Sequence, residues 1–339
     1  MADEVVQIEG LVKRFRHGVI AVDGLDLNVE AGQVLGLAGP NGSGKSVTIR
    51  SMLGLLRPTS GAIRIFGEKV RPGAPVLSRV GALVDGPGFV PDLSGARNLS
   101  LAARTCGRKV TSGDLAEAVD LASLGAALDR PYGTYSHGMR YRLGLARALL
   151  AWPELLLLDE AATGLDPVQA NEVRRRVSEA ACEHGATVVY AAHQLSEVEE
   201  ICTHVAVMRR GRLVVSGAID EVLDVNNTLQ LDTSDAGRAA TALRSLPGVT
   251  SVRTARGSVV VSLEPEVDPD RDGPARLSPV TRLLEAAGIV VRRARRGLSL
   301  DLLYTELVGG SRLAAERDSG AASPERQARD VLPASSPGG

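Results

Sequence analysis

Aromatic residues are scarce in this chain. They make up 3% of the 339 residues, with three Phe, five Tyr and one Trp. A platform of stacked rings for single-stranded nucleic acid is therefore not expected. An excess of one charge is missing too: 39 Lys and Arg stand against 40 Asp and Glu, a formal net charge of -1. No global field favours a nucleic-acid partner. No apolar run is long enough to cross a bilayer. Cysteine is rare, and Cys106, Cys182 and Cys202 form no CxxC pair. An odd count without metal spacing suits a reducing cytosol. Met1-Ala2-Asp3-Glu4 is acidic where a secretory signal would be basic, so export of the chain is not expected.

What is present is a loop. Gly39-Pro40-Asn41-Gly42-Ser43-Gly44-Lys45-Ser46 fits the phosphate-binding pattern G-x-x-x-x-G-K-[ST] at every fixed position. Val34-Leu35-Gly36-Leu37-Ala38 before it reads as a short buried strand, and Val47 opens a helix after it. Glycines let the backbone turn its N–H groups toward an anion, and the helix N-terminus adds its positive dipole end. Lys45 can reach terminal phosphates and the Ser46 hydroxyl can ligate Mg2+. Gly39, Asn41, Gly42, Ser43, Gly44, Lys45, Ser46 and Val47 are the candidate nucleotide contacts.

A second motif is Leu155-Leu156-Leu157-Leu158-Asp159-Glu160. An apolar strand ending in adjacent acids delivers carboxylates to the sheet edge where phosphate-loop ligands sit. Asp159 suits a Mg2+ contact, and Glu160 suits the polarisation of an attacking water.

Strand and helix patterns alternate over the first two thirds of the chain, which predicts a mostly parallel sheet covered by helices. Turn signals fall at His17-Gly18, Asp23-Gly24 and Ala31-Gly32. A helix-rich stretch runs from about Ser94 to Leu128. From about residue 226 the order becomes βαββαβ, with strands opening at Leu229, Val249, Ser258 and Ile289, as in a ferredoxin-like fold. Ser299–Val308 is expected to cap it as a helix. After about Ser311 the Ala, Ser, Pro and Gly content predicts disorder. The boundaries read as 1–225, with a helical subdomain at about 86–135, then 226–310 and a tail at 311–339. Arg174-Arg175-Arg176 reads as a solvated helix face, and Arg292-Arg293-Ala294-Arg295-Arg296 as an edge strand protected by charge.

Tyr135-Ser136-His137-Gly138-Met139 opens a helix shortly before the acidic strand. With the Walker A loop and that strand it resembles the signature motif of ATP-binding cassette (ABC) ATPases, whose usual form is Leu-Ser-Gly-Gly-Gln. Ser136 and Gly138 are kept; the other three places differ. Ser136 also suits a plain helix N-cap. Further matches follow in family order. Gly164-Leu165-Asp166 resembles the D-loop, and His193 the switch histidine that contacts the γ-phosphate. Phe15 occupies the region of the adenine-stacking aromatic, or is a core strand residue. Asp85 stands where most of the family has glutamine, and is either a shorter-armed Mg2+ ligand or a turn former.

The resemblance implies an α/β fold: a P-loop ABC ATPase domain with a mixed sheet and helical subdomain, plus a small α+β ferredoxin-like C-terminal domain. It implies ATP and Mg2+ as cofactors and a head-to-tail homodimer, with each nucleotide between one loop and the partner's Ser136 and Gly138. It also implies a separate transmembrane permease that holds the chain on the cytoplasmic face of the membrane. Asp85, and Ala161 where proline is usual, resemble the ATPases of antibiotic, bacteriocin and drug exporters, as does Gly297–Tyr304. An importer ATPase with a substrate-sensing C-terminal domain, a soluble non-transport ABC protein and a non-hydrolysing regulator are the alternatives. Retention of Lys45, Asp159, Glu160 and His193 opposes the last.

Overall fold

The computed structural model describes residues 3–84, 86, 88–162, 165–224, 227–264, 277–305 and 307. Strands β1 (Glu4–Arg14) and β2 (Ile20–Glu30) pair antiparallel across a short turn. β3 (Val34–Ala38) is wholly buried and runs into the glycine loop and α1 (Lys45–Met52). β4 (Ser60–Ile65) and β5 (Glu68–Lys69) return to β1, closing a four-stranded antiparallel sheet of order β2-β1-β4-β5.

A six-stranded sheet holds the rest of the first unit. It uses β6 (Val80–Leu83), β7 (Leu155–Asp159), β8 (Thr187–Ala192), β9 (His204–Arg209) and β10 (Arg212–Ala218) in the order β10-β9-β3-β8-β7-β6. All its pairings are parallel except β9–β10, the hairpin turned at Arg210-Gly211. The expected mostly parallel sheet is thus present, but the N-terminal strands do not join it. Their connections are too short for a parallel crossover, so they form a sheet of their own.

The two sheets sandwich a core. Leu155 to Leu158 are all 0% exposed, yet they serve two faces. Leu155 and Leu157 pack with Ile8, Leu25, Leu37 and Ile49 between the sheets. Leu156 and Leu158 pack with Val177, Val188 and Val198 on the opposite face. Period-two alternation within a continuous apolar run is what a strand buried on both sides requires. Each such leucine contributes roughly 1.5–3 kcal/mol by burial.

Asp23-Gly24 is not a turn. It lies inside β2, where the register slips between Leu11↔Leu25 and Val12↔Asp23 and Gly24 takes φ 69. The turn-prone pair marks a bulge.

Between β6 and β7 lie α2 (Gly95–Thr105), α3 (Ser112–Ala122) and α4 (His137–Ala148). Ser94 caps α2, and Thr111 with Asp114 forms a capping box on α3. Leu99, Ala122, Tyr132, Tyr135, Leu143 and Ala146 give this region its own small core. Asn98 fastens the preceding loop, accepting from Val90 N and donating to the carbonyls of Val90 and Leu93. α5 (Pro167–Cys182), α6 (Leu195–Ile201) and α7 (Ile219–Val222) complete the first unit. Arg174, Arg175 and Arg176 are not merely solvated. They pair with Glu200, Glu172 and Glu179.

The last sheet contains β11 (Thr228–Thr233), β12 (Val249–Ala255), β13 (Ser258–Leu263) and β14 (Val291–Arg296), with α8 (Ala236–Leu243) and α9 (Leu277–Ala286). Its order β12-β13-β11-β14, antiparallel throughout, is ferredoxin-like. The arginine run occupies edge strand β14, as its charge predicts. That strand starts at Val291, not Ile289. The N–H of Ile289 instead closes the end of α9 on Leu284 O at 2.8 Å, with Gly288 at φ 68. The segment 311–339 lies outside the described residues.

Candidate nucleotide site

The loop is built by steric need for glycine. Gly39 has φ 144, and a Cβ there would stand 2.3 Å from Met208 O. Gly44, at φ 108, would bring one 2.6 Å from Ala21 O. Gly42 also has positive φ, but with open space around it. No L-side chain fits the first two positions without moving backbone. Gly44 ends the loop as the residue before α1, and Thr48 N donates back to its carbonyl at 2.9 Å.

Lys45 is 4% exposed, and its ammonium donates to Gly39 O at 2.7 Å and Pro40 O at 3.2 Å. Burial lowers its pKa below the ordinary lysine value, while the nearby Glu160 and Asp159 carboxylates pull it back up. An anion in the loop would act in the same direction as those carboxylates. Ser43 Oγ is buried and has no hydrogen-bond partner among the described residues. It is a hydroxyl inside the glycine cradle with a donor to give. The loop therefore fits a phosphate chain.

The Ser46 hydroxyl donates to Asp159 Oδ1 at 3.0 Å, which joins the loop to the end of β7. A hydroxyl and a carboxylate held together are hard oxygen donors of the kind Mg2+ takes. Glu160 follows with a left-handed backbone, φ 52, its N–H fixed to Ala191 O at 2.9 Å. Such a conformation costs about 1–3 kcal/mol in a non-glycine residue and recurs at functional sites. His193 follows β8 and is exposed. It shares a cavity of about 430 Å3 with Gly39 and Pro40.

Ser136 caps α4 by accepting from Met139 N at 3.3 Å. Asp166 caps α5 by accepting from Gln169 N at 2.9 Å. The two helix starts meet: a Cβ on Gly138 would lie 2.5 Å from the Gln169 amide nitrogen. Sequence reading did not single out Gln169, and its spacing carries no signal for that contact. Phe15 is 41% exposed beyond the end of β1, so it is not a core residue, and the Lys13 ammonium sits 5.2 Å from its ring centroid. Asn41 and Gly42 are exposed on the loop, and Val47 is half-buried on α1. Asp85 and Gly164 lie outside the described residues.

The ABC transporter family model matches residues 22–163. The Streptomyces peucetius daunorubicin/doxorubicin resistance ATP-binding protein DrrA is 36% identical over 310 residues, covering 90% of this chain and 92% of its own length. The chain belongs to the ABC transporter ATP-binding proteins. The Bacillus licheniformis bacitracin transport ATP-binding protein BcrA is 39% identical to this ABC protein over 222 residues, 65% of this chain and 72% of BcrA. Among solved structures, an ATP-binding subunit of an ABC transporter superposes with TM-score 0.59 at 25% identity, covering 65% of this chain and 92% of that one. A dimeric ATP-binding cassette bound to ADP and Pi has TM-score 0.58 at 22% identity, covering 63% and 98%, and shares the fold. This ABC protein is accordingly a transporter ATPase. No helix among its described residues is long and apolar enough to cross a membrane.

Proposed function

We propose that this ATPase powers an antibiotic or drug exporter through a separate transmembrane permease, working as a head-to-tail homodimer on the cytoplasmic face of the membrane. The carrying observation is the Ser46–Asp159 hydrogen bond, which joins the phosphate loop to the acidic strand in one site. The relatives named for bacitracin transport and daunorubicin/doxorubicin resistance support the substrate class.

Lys45 and the N–H groups of Gly42, Ser43 and Gly44 bind phosphate oxygens, with Gly39, Asn41 and Val47 shaping the loop. Phe15, exposed beyond the end of β1, stacks on adenine. Ser46 and Asp159, with Asp85 as a further candidate, hold Mg2+, which neutralises phosphate charge when bound. Glu160 takes a proton from the attacking water. His193 donates to the γ-phosphate. Ser136 and Gly138 of one subunit close on the nucleotide of the other, and Asp166 lies at that junction. ATP contacts favour the closed dimer, and their loss on hydrolysis releases it.

The permease docks at the helical region. A groove of about 330 Å3 there is bordered by Phe89, Val90, Leu101 and Arg147. Val90 and Leu101 are 42% and 43% exposed beside Arg108 and Arg147, so this groove of mixed polarity can take a short amphipathic helix from a partner. Purification of the tagged chain from detergent-solubilised membranes is expected to retain a polytopic membrane protein. A chain that hydrolyses ATP but never retains one contradicts the proposal.

A further inference from the structure

Residues 298–305, the segment following β14, bridge two units: Leu298 and Leu302 pack on Val260 of the ferredoxin-like sheet, and the same segment reaches the first unit. Leu298 N donates to Leu223 O at 2.8 Å, just beyond α7. Leu300 is 0% exposed within the core of the first unit, where Leu303 and Tyr304 also pack. The segment is therefore anchored in the ATPase core.

Its position there has a consequence for the nucleotide site. Asp301 and Tyr304 line the same cavity as Gly39, Pro40 and His193. The segment is also tied to α6, the helix that starts two residues after His193. Glu199 on α6 binds β14 with one carboxylate oxygen and the segment with the other. Glu199 Oε2 accepts from Arg295 Nη1 at 2.8 Å, in a pair whose side chains are 26% and 14% exposed. Glu199 Oε1 accepts from the backbone N–H of Leu300. On the other side Ser299 N donates to Gln230 Oε1 at 2.9 Å, fixing the segment to β11.

We infer that this C-terminal segment positions His193 against the phosphate loop, and that Glu199 is the positioning residue through which it acts. The chain of cause is short. Arg295 and Leu300 hold Glu199, Glu199 holds α6, and α6 fixes the backbone that carries His193. A mostly dry carboxylate bonded by a guanidinium and a backbone N–H is among the stronger polar contacts available. The inference rests on the reading of His193 as a γ-phosphate contact, and it adds that the C-terminal unit sets how well that contact is made.

The test uses the full chain with Glu199→Ala and Glu199→Gln. Alanine removes both acceptors; glutamine keeps an oxygen for one N–H. Two readouts are needed. The first is the His193 imidazole resonance in nucleotide-free protein, assigned by its loss in His193→Asn. Glu199→Ala is expected to shift or broaden it, while Glu199→Gln leaves it near the parent position. The second is steady-state ATP hydrolysis. Glu199→Ala is expected to lower kcat by about tenfold or more with KM within about threefold, which is the pattern of an interaction realised after binding. Glu199→Gln is expected to keep at least about half of the parent kcat. An unmoved His193 resonance in Glu199→Ala overturns the inference, as does equal loss in both variants with a lowered unfolding midpoint. A parent chain that fails to hydrolyse ATP sinks the functional reading instead, and the resonance still decides the role of Glu199.

Discussion

The Ser46 hydroxyl and Asp159 Oδ1 stand 3.0 Å apart although 113 positions separate them in the chain. The parallel sheet makes this possible. β3 and β7 both flank β8, so the loop after β3 and the acids after β7 emerge at one edge. Ser46→Ala removes the donor and one of the oxygens proposed to hold Mg2+. The loss to folding is expected to be only about 1 kcal/mol, the worth of one hydrogen bond. Titration with a fluorescent ATP analogue is expected to show binding that no longer tightens on adding Mg2+. A mutant that keeps the full Mg2+ effect contradicts the assignment.

Gly138→Ala separates signature chemistry from folding. The added Cβ meets only the end of the Gln169 side chain, which can swing away. In a helix, alanine is favoured over glycine by roughly 0.5–1 kcal/mol. Stability is therefore expected to hold or rise in urea titration, while ATP hydrolysis falls about tenfold or more. Full activity with the alanine contradicts a phosphate-contacting role.

Glycine replacements in the loop are expected to rank by what they meet. Gly39→Ala drives a Cβ into the Met208 carbonyl, which is backbone and cannot step aside. Gly42→Ala meets open space and incurs only the left-handed penalty, roughly 1–2 kcal/mol. Urea unfolding is expected to show the larger loss at Gly39. Equal losses contradict the geometry.

The three thiols are expected to separate kinetically. Cys182 is exposed, Cys106 and Cys202 are partly buried, and desolvation pushes the Cys202 thiol well above its ordinary pKa. A raised pKa means less thiolate at any working pH, so Cys202 reacts last. Titration with a chromogenic disulfide at pH 8 is expected to modify Cys182 first and Cys202 last. Early modification of Cys202 contradicts the packing against Gly36 and Val198 around it.

Local signals made much of this legible. The glycine loop, the leucine strand with its acids and the cap at Ser136 each carry their physics in adjacent residues. The βαββαβ order fixed the C-terminal topology because each strand is short and bounded by turns. What was not legible depends on non-local pairing. Nothing in β1, β2, β4 and β5 states that they form a separate sheet; only their antiparallel partners decide it. Asp23-Gly24 has turn chemistry, but register with β1 makes it a bulge. Ile289 is a good strand residue that the end of α9 claims instead. Asp301 and Tyr304 gave no hint of their place beside His193, because that place comes from Leu300 entering the core of a different unit.

The measurement that tests the account most directly is ATP hydrolysis by the purified chain beside Glu160→Gln, with size-exclusion chromatography in ATP. The account predicts that the parent turns over, that Glu160→Gln loses roughly 10²–10⁴-fold as general-base loss allows, and that the mutant elutes as an ATP-bound dimer. A Glu160→Gln chain that hydrolyses ATP at the parent rate, or stays monomeric with ATP bound, would contradict it.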